Sequence, residues 1–346
     1  MRPRGYAMVA ICWASFVGCG TASPDRVLVT SGATDEVLEL DGANGNVLSQ
    51  VPLDPRFSET DEPHGIAVSP RGTHWFATVS HGEPTLWKFE LPDNRLVGRV
   101  SLGISGASRI GISPDGETAI IPDYYRGGRG APSQVAVVRL HDLQVLDRPT
   151  VCAAPHDAQY THDGSVIAVA CSHADEVVLL DAVTFTEVGR FAVDPIPGPP
   201  GSPRFRPLNL LWGPRDETLL VTLHDADLVR VFTRAGDIVA DVPTGAGPAQ
   251  LAVLPAAGWL VSANRRDGSI SIIAMTDWSE RARVALGVAH PHGVAAARGA
   301  DVVYVTYEGD TESPGGVVAV SIPDANVLWR TVGGAYTLGV AVAPGN

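Results

Sequence analysis

Three histidines stand at the same point of a repeated sequence phrase, each directly after a proline: His64, His156 and His292. Imidazole is a good ligand for zinc, copper or iron, and a ring of strand ends can present several imidazoles to one ion. The same pattern also arises if proline-histidine is only a favoured way to begin this strand, with the imidazole hydrogen-bonded to backbone. These residues are therefore candidate ligands for one divalent transition metal (zinc, copper or iron), and both interpretations stay open.

Further polar side chains gather at the same end of the repeat units. His81, His173 and His224 fall in loops between the second and third strands, on the face where the first strand begins. Arginine, histidine and glutamate in one bowl are suited to bind a carboxylate or sugar acid, or to act as general acids and bases. The candidate ligand-binding residues are His64, His81, Arg109, His156, His173, Asn209, His224, Gln250, Asn264, His292 and Glu308.

Two cysteines lie close to two of these histidines. Cys152 precedes His156 by four residues and Cys171 precedes His173 by two, so a Cys2His2 metal site is one reading. That spacing matches no common zinc module. In an oxidising compartment a single pair of cysteines is first a disulfide candidate, and the sequence favours a Cys152–Cys171 bond that pins the fourth repeat unit.

The elements that position these residues recur along the whole chain. A small or polar entry, an alternating strand, a proline or glycine turn and a second strand repeat, as in residues 63–72 (PHGIAVSPRG) and 110–116 (IGISPDG). The turn positions are Pro70, Pro114, His162, Pro214, Pro255, Arg298 and Pro344. Their spacing of 41 to 52 residues is that of a four-stranded propeller blade and too long for helical repeats.

The two ends of the chain complete one another. The last repeat unit has only its first strand, and residues 26–30, 36–40 and 47–53 supply three more strand-like segments. Pairing the ends makes a seventh blade and removes exposed sheet edges, whereas six blades and a loose hairpin would leave two of them. The sequence therefore predicts an all-β, seven-bladed β-propeller of four-stranded blades, closed by its N-terminal strands and C-terminal strand.

This pattern resembles the YVTN-type propeller repeat family, to which the periplasmic YncE-like proteins belong. The resemblance covers residues 26–346 and rests on phrases such as PHGIAVSP at 63–70 and LGVAVAPG at 338–345. It implies the fold well and the function poorly, because propellers of this kind include binding scaffolds, lactonases and metal enzymes.

The first residues resemble a bacterial lipoprotein signal peptide. Arg2 and Arg4 precede an uncharged apolar stretch over 5–17, which ends before Cys19. Phe16 stands where that family usually has leucine, so secretion without a lipid on Cys19 is the alternative. The expected organisation is a signal peptide over 1–18, a lipidated tether over 19–25 and the propeller over 26–346. The expected location is the periplasm or the outer membrane, with the lipid as the membrane anchor.

The composition and the absence of several motifs argue against some classes of function. The net charge of −13 argues against nucleic acid, and the chain has no Cys-x-x-Cys-His, Gly-x-Ser-x-Gly or P-loop motif. Insertions over 124–133 and 194–207 lengthen loops on the histidine face. These features favour a monomeric binding or scaffold propeller that captures a small ligand, a metal or an envelope protein. The alternative is an enzyme, either a metal-dependent oxidase or lyase or a lactonase-type hydrolase.

Overall fold

A computed structural model describes residues 24–53, 60–124, 130–299, 301–309, 313–322 and 324–345. Seven antiparallel sheets follow one another along the chain, numbered here as blades 1 to 7. Blade 1 contains β1 (Arg26–Ser31), β2 (Glu36–Asp41), β3 (Val47–Pro52) and, as its innermost strand, β29 (Thr337–Ala343). Blade 2 contains β4 (Pro63–Val68), β5 (His74–Val79), β6 (Thr85–Glu90) and β7 (Arg95–Ser101). Blade 3 contains β8 (Gly111–Ile112), β9 (Thr118–Pro122), β10 (Pro132–Arg139), β11 (Gln144–Asp147) and β12 (Thr150–Ala153).

The remaining four blades have four strands each. Blade 4 contains β13 (Pro155–Tyr160), β14 (Val166–Cys171), β15 (Glu176–Asp181) and β16 (Glu187–Ala192). Blade 5 contains β17 (Pro207–Trp212), β18 (Thr218–Leu223), β19 (Leu228–Thr233) and β20 (Ile238–Pro243), with 3-10 turns at Pro214–Asp216 and His224–Ala226. Blade 6 contains β21 (Pro248–Leu254), β22 (Trp259–Asn264), β23 (Ser269–Ala274) and β24 (Ser279–Ala285). Blade 7 contains β25 (Pro291–Ala296), β26 (Val302–Tyr307), β27 (Gly316–Ser321) and β28 (Asn326–Val332).

The predicted closure of the ring is confirmed. Strand β1 pairs with β2 on one side and with the C-terminal strand β29 on the other, with Leu28 opposite Ala341. The innermost strands of neighbouring blades contact one another around the ring. No helix in the described part of the chain is both long and apolar enough to span a membrane.

Hydrophobic residues are buried between blades rather than in one centre. The middle strands are covered by the neighbouring blade on each face, so they are buried almost throughout, as in β27 (GVVAVS). The outermost strands alternate between exposed and partly buried residues, as in β28. Seven apolar clusters result, one at each junction of adjacent blades, and the junction of blades 7 and 1 is filled by residues such as Tyr304 and Leu40.

A bulge sets the orientation of the channel-lining residues. In blades 2, 4, 5, 6 and 7 the strand register shifts directly after the proline that begins the innermost strand. A β-bulge places an extra residue on one strand and re-aims its side chain. His64, His156 and His292 each follow that proline, so the bulge is what removes them from the regular alternation of the strand.

A threonine in the second strand joins several blades to the next one. In blade 2 the Thr78 hydroxyl accepts the Gly65 N–H at 2.8 Å and donates to the Ser108 carbonyl of blade 3 at 2.7 Å. The same bridging arrangement is made by Thr30, Thr222 and Thr306. Each hydroxyl satisfies backbone groups that the bulge leaves unpaired.

The structure contains a disulfide between Cys152 and Cys171, with their Cα atoms 5.8 Å apart. The expectation that this bond lies within the fourth unit is wrong. Residues 150–153 pair with β10 and so belong to the outer edge of blade 3, whereas Cys171 ends β14 of blade 4. The bond therefore links two neighbouring blades. It closes a loop over a separation of 19 residues, for which chain entropy gives about 3 kcal/mol.

Candidate functional site

Two layers of side chains line the top of the central channel. Each blade contributes one residue to the upper layer, namely the residue that follows the entry position of its innermost strand. In ring order these residues are Leu338, His64, Ser108, His156, Leu208, Ala249 and His292. The layer below is the next residue along, and it contains Gly339, Gly65, Arg109, Asp157, Asn209, Gln250 and Gly293. Residues that occupy the same position of the repeat therefore lie at the same level of the channel.

The lower layer is divided into a glycine half and a polar half. A Cβ on Gly65 would lie 2.5 Å from the Ser108 carbonyl oxygen, and one on Gly293 would lie 2.5 Å from the Leu338 carbonyl oxygen. Neighbouring strands approach too closely there for any side chain. The four side chains on blades 3 to 6 fill the channel instead, and all of them are polar: Arg109, Asp157, Asn209 and Gln250.

An open bowl of about 150 Å³ lies at the upper layer, at the mouth of the channel. It is lined by His64, Tyr124, His156, Arg206, Leu208, His224, Arg265, His292, Glu308, Tyr336 and Leu338. The bowl therefore brings together five of the sequence candidates: His64, His156, His224, His292 and Glu308.

The other six candidates lie around or beneath the bowl. Arg109 and Gln250 line a much smaller space of about 10 Å³, which His64 also lines. His81 lines a side recess with Glu62, and the His173 ring lies 6.1 Å from that of Tyr124. Asn209 is fully buried and bonded to Asp157. Asn264 is fully buried and donates to the hydroxyls of Ser269 and Ser271, which is a role in the fold of blade 6.

Hydrogen bonds to the backbone hold three imidazoles of the bowl. Nδ1 of His156 lies 2.7 Å from the Leu208 carbonyl oxygen, and Nδ1 of His224 lies 3.2 Å from that of Pro248. A carbonyl oxygen only accepts, so these Nδ1 atoms carry the proton and each Nε2 keeps its lone pair. Nδ1 of His292 lies 3.2 Å from the Leu338 oxygen. The Gln250 amide reaches the same nitrogen at 3.3 Å, and its oxygen can accept the same proton.

These imidazoles are uncharged at neutral pH. Burial, reinforced by the neighbouring His64, holds the pKa of His156 well below its usual value. Burial also lowers the pKa of His292 to about 4, although the Glu308 carboxylate opposes that shift. The pKa of His224 is lowered for the same first reason, burial. The three rings therefore offer lone pairs rather than positive charge to a ligand.

The stability of the metal-free protein is expected to fall between pH 7 and pH 5. The pKa of His292 is lowered from 6.5 to about 4, so the unfolded chain takes up a proton that the folded chain refuses. The resulting loss in the free energy of unfolding is nearly absent above pH 6.5 and grows as the pH falls toward 4. At pH 5 it amounts to about 2 kcal/mol. Urea unfolding in the presence of a chelator measures it. His292→Leu should make the dependence shallower by this amount while His156 and His224 still contribute, and an equal slope in both proteins would contradict the assignment.

His64 lies near both His156 and His292 and differs from them in its hydrogen bonding. Its ring centroid lies 6.1 Å from that of His156 and 6.0 Å from that of His292, edge to face in both cases. Nδ1 lies 3.8 Å from Oε1 of Glu62. Nε2 is buried and has no hydrogen-bond partner among the residues that the structure describes. A buried nitrogen of this kind is costly unless something else binds to it.

Two ionised carboxylates flank the imidazoles. Glu308 accepts two hydrogen bonds from Arg265, at 2.7 and 2.6 Å. Glu62 bonds to Nε2 of His81 at 2.9 Å. Burial opposes ionisation of both acids, but Arg265 in one case and His64 with His81 in the other outweigh it and lower the pKa. Each carboxylate is thus held in place before any ligand arrives.

Arg265 follows the candidate Asn264 in the sequence, and four other polar residues of the site were not among the sequence candidates: Glu62, Tyr124, Arg206 and Tyr336. Tyr124 and Arg206 belong to the two insertions that the sequence places on this face, so loop length was the available signal. Residues 125–129 of the first insertion lie outside the described residues. Glu62 and Tyr336 lie just before a repeat phrase and carry no signal of their own.

A buried aspartate explains how the second insertion reaches the bowl. The Asp175 carboxylate accepts backbone N–H groups from four residues of this loop, at 2.6 to 3.1 Å: Gly198, Arg204, Phe205 and Arg206. The loop from blade 4 to blade 5 is therefore anchored, and Arg206 is fixed at the rim.

Comparisons with known proteins identify the fold. No protein-family model and no curated protein matches the sequence. A functionally unknown protein from Desulfotomaculum acetoxidans DSM 771 matches with TM-score 0.73 and 12% identity, over 93% of this chain and 100% of that chain. The dihydro-heme d1 dehydrogenase NirN in complex with DHE matches with TM-score 0.60 and 15% identity, over 91% and 74%. Hydrazine synthase from Kuenenia stuttgartiensis matches with TM-score 0.62 and 18% identity, over 72% and 80%. The chain is a seven-bladed β-propeller. At these identities the likeness shows the fold alone.

Proposed function

We propose that this propeller is a binding protein that captures a small ligand in the bowl at its channel mouth. The observation that carries the proposal is the buried Nε2 of His64, which has no hydrogen-bond partner among the described residues and belongs to a side chain that lines both the bowl and the space beneath it. Few polar groups in a folded protein are left in this state unless a ligand, a water or a catalytic role accounts for them.

The chemistry of the lining indicates the kind of ligand. Three neutral imidazoles direct lone pairs toward the ligand, while Arg265 is already paired with a carboxylate and Arg206 lies 3.2 Å from Asp225. A bare carboxylate would therefore meet three acceptors. Of these two arginines, only Arg206 is not held in a bidentate pair, and its Nε makes no hydrogen bond within the described residues. A molecule rich in hydroxyl groups, or a metal cation, complements the bowl better. Tyr124 and Tyr336 add hydroxyls that both donate and accept.

Titration calorimetry with a panel of monosaccharides, hydroxy acids and divalent metal chlorides tests the proposal. At least one compound should bind with one site per chain, and His64→Ala should weaken it at least tenfold. His141→Ala is the matched control, because that imidazole is 64% exposed at the β10–β11 turn, away from the bowl. If no compound binds, or if His64→Ala binds equally well, the proposal fails. A lactone belongs in the panel, since its turnover would make His64 a general base and the protein a hydrolase.

The cellular setting remains part of the proposal. Cys19 and the signal peptide over 1–18 lie outside the described residues. We propose export and a lipid on Cys19, with the propeller displayed in the envelope as a monomer and partnered by a small molecule or an envelope protein. Its kinship with the YVTN-type repeat proteins rests on the sequence phrases alone.

A further inference from the structure

We propose that the ligand of the bowl is a single divalent transition-metal ion bound by the imidazoles of His64, His156 and His292. This inference rests on the proposed binding function and names the ligand class. The three rings lie in one layer, with His64 between the other two at centroid distances of 6.1 and 6.0 Å.

Two of the three histidines have a hydrogen-bond partner for the nitrogen that does not bind the metal. His156 and His292 present Nδ1 to the carbonyl oxygens of Leu208 and Leu338. Histidines that ligate metals almost always use their second nitrogen this way, because the bond fixes the tautomer and the ring orientation. Nδ1 of His64 faces the Glu62 carboxylate at 3.8 Å, which is an ion-pair distance rather than a hydrogen bond. The pattern differs from that of an ordinary core histidine because the metal-binding nitrogen of His64 has no hydrogen-bond partner among the described residues.

The ligands close on the metal by a rotation. Ligand nitrogens at 2.0–2.1 Å from one ion lie at most about 4.2 Å apart. Among the described residues these three histidines do not form a group with all ligand atoms within 4.8 Å of one another, so at least one ring must turn. The His64 side chain lines the bowl, a space of about 150 Å³, and the ring would turn toward that space.

A different group of possible ligands, which contains two cysteines, is excluded as the metal site. Cys152, Cys171 and Glu176 do lie within 4.8 Å of one another. The two sulfur atoms are joined in a disulfide, so neither is a thiolate.

The ligand set also selects the class of metal. Three imidazole nitrogens suit zinc, copper, nickel or cobalt, whereas magnesium and calcium require oxygen ligands. Three protein ligands leave the position that faces the mouth of the bowl open to water or a second ligand. Glu308 and Arg265, which are hydrogen-bonded to each other, line the same bowl.

The test uses untagged protein that has been treated with a chelator and dialysed, titrated with zinc chloride and with cobalt chloride. We expect one zinc per chain and the visible absorption of four-coordinate cobalt. Each of His64→Gln, His156→Gln and His292→Gln should weaken zinc at least 100-fold, and His141→Ala should leave it unchanged. The glutamine variants keep the side-chain volume, and circular dichroism verifies their folding.

The outcomes separate this inference from the proposed function. Absence of stoichiometric zinc and cobalt in the wild-type protein, or equal zinc affinity in the His64→Gln variant, would overturn the metal site. If a sugar or hydroxy acid then still binds in a His64-dependent manner, the binding function stands without the metal. If nothing binds, both proposals fall.

Discussion

Replacing Asp157 with alanine is expected to lower the free energy of unfolding by about 3–5 kcal/mol. Asp157 is fully buried in the lower layer of the channel and lies 3.2 Å from Nε of Arg109. It also accepts the Leu210 N–H at 3.1 Å and bonds to the Asn209 amide of blade 5. The alanine variant would leave the Arg109 charge in the channel without its anion and would break the polar contacts that join blades 3, 4 and 5.

Urea unfolding of the wild-type and variant proteins at pH 7 measures this effect. The double variant Arg109→Met/Asp157→Leu serves as the comparison, because removing both charges together avoids an unpaired buried ion. It should recover a large part of the stability that the Asp157→Ala variant loses. A loss below about 1 kcal/mol in the Asp157→Ala variant would show that the ion pair contributes no more than an exposed one.

Replacing Asp175 with alanine is expected to lower stability by about 2–4 kcal/mol and to weaken ligand binding in the bowl at least tenfold. Four backbone N–H groups of the 194–207 insertion lose one shared acceptor, and hydrogen bonds to a charged group are the stronger kind. Arg206 is among these residues, so the rim of the bowl loses its fixed position together with the loop.

Asp181→Ala is a suitable control for Asp175→Ala. Asp181 also accepts two backbone N–H groups, from Val183 at 3.0 Å and Thr184 at 2.7 Å, but it does so in an exposed turn between β15 and β16. Its replacement should cost about 1 kcal/mol or less and leave ligand affinity unchanged. Limited proteolysis should cut the Asp175→Ala variant within 194–207. Resistance of that loop, with unchanged affinity, would contradict the anchoring role.

The repeat phrase predicted more of this structure than any single residue did. It located the innermost strands, and the proline before His64, His156 and His292 predicted that these side chains lie at one level. Arg109 and Gln250, which are candidate ligand-binding residues too, lie one residue further along the repeat and therefore in the layer below. A shift of one residue matters here because successive side chains on a strand point in different directions.

The sequence pattern does not predict features that depend on loop conformation or on contacts between blades. Cys152 was assigned to the wrong blade because residues 150–153 form a short strand that ends just before Pro155, and no periodicity separates the two units. Tyr336 reaches the bowl, and Glu62 reaches the side recess beside it, through turns with positive φ of 63° and 54°, which no repeated phrase predicts. Tertiary placement of such residues depends on the whole ring.

Apolar residues are buried at seven junctions, so every blade packs against one neighbour on each side and the ring of packed blades is closed. Each blade is stabilised by the two beside it, as in other repeat proteins where stability is a sum of nearest-neighbour terms. His64, His156 and His292 come from blades 2, 4 and 7, and no two of these blades are adjacent. A ligand bound to all three histidines would therefore link three non-adjacent blades directly. Without it, these blades are connected only through the blades that lie between them.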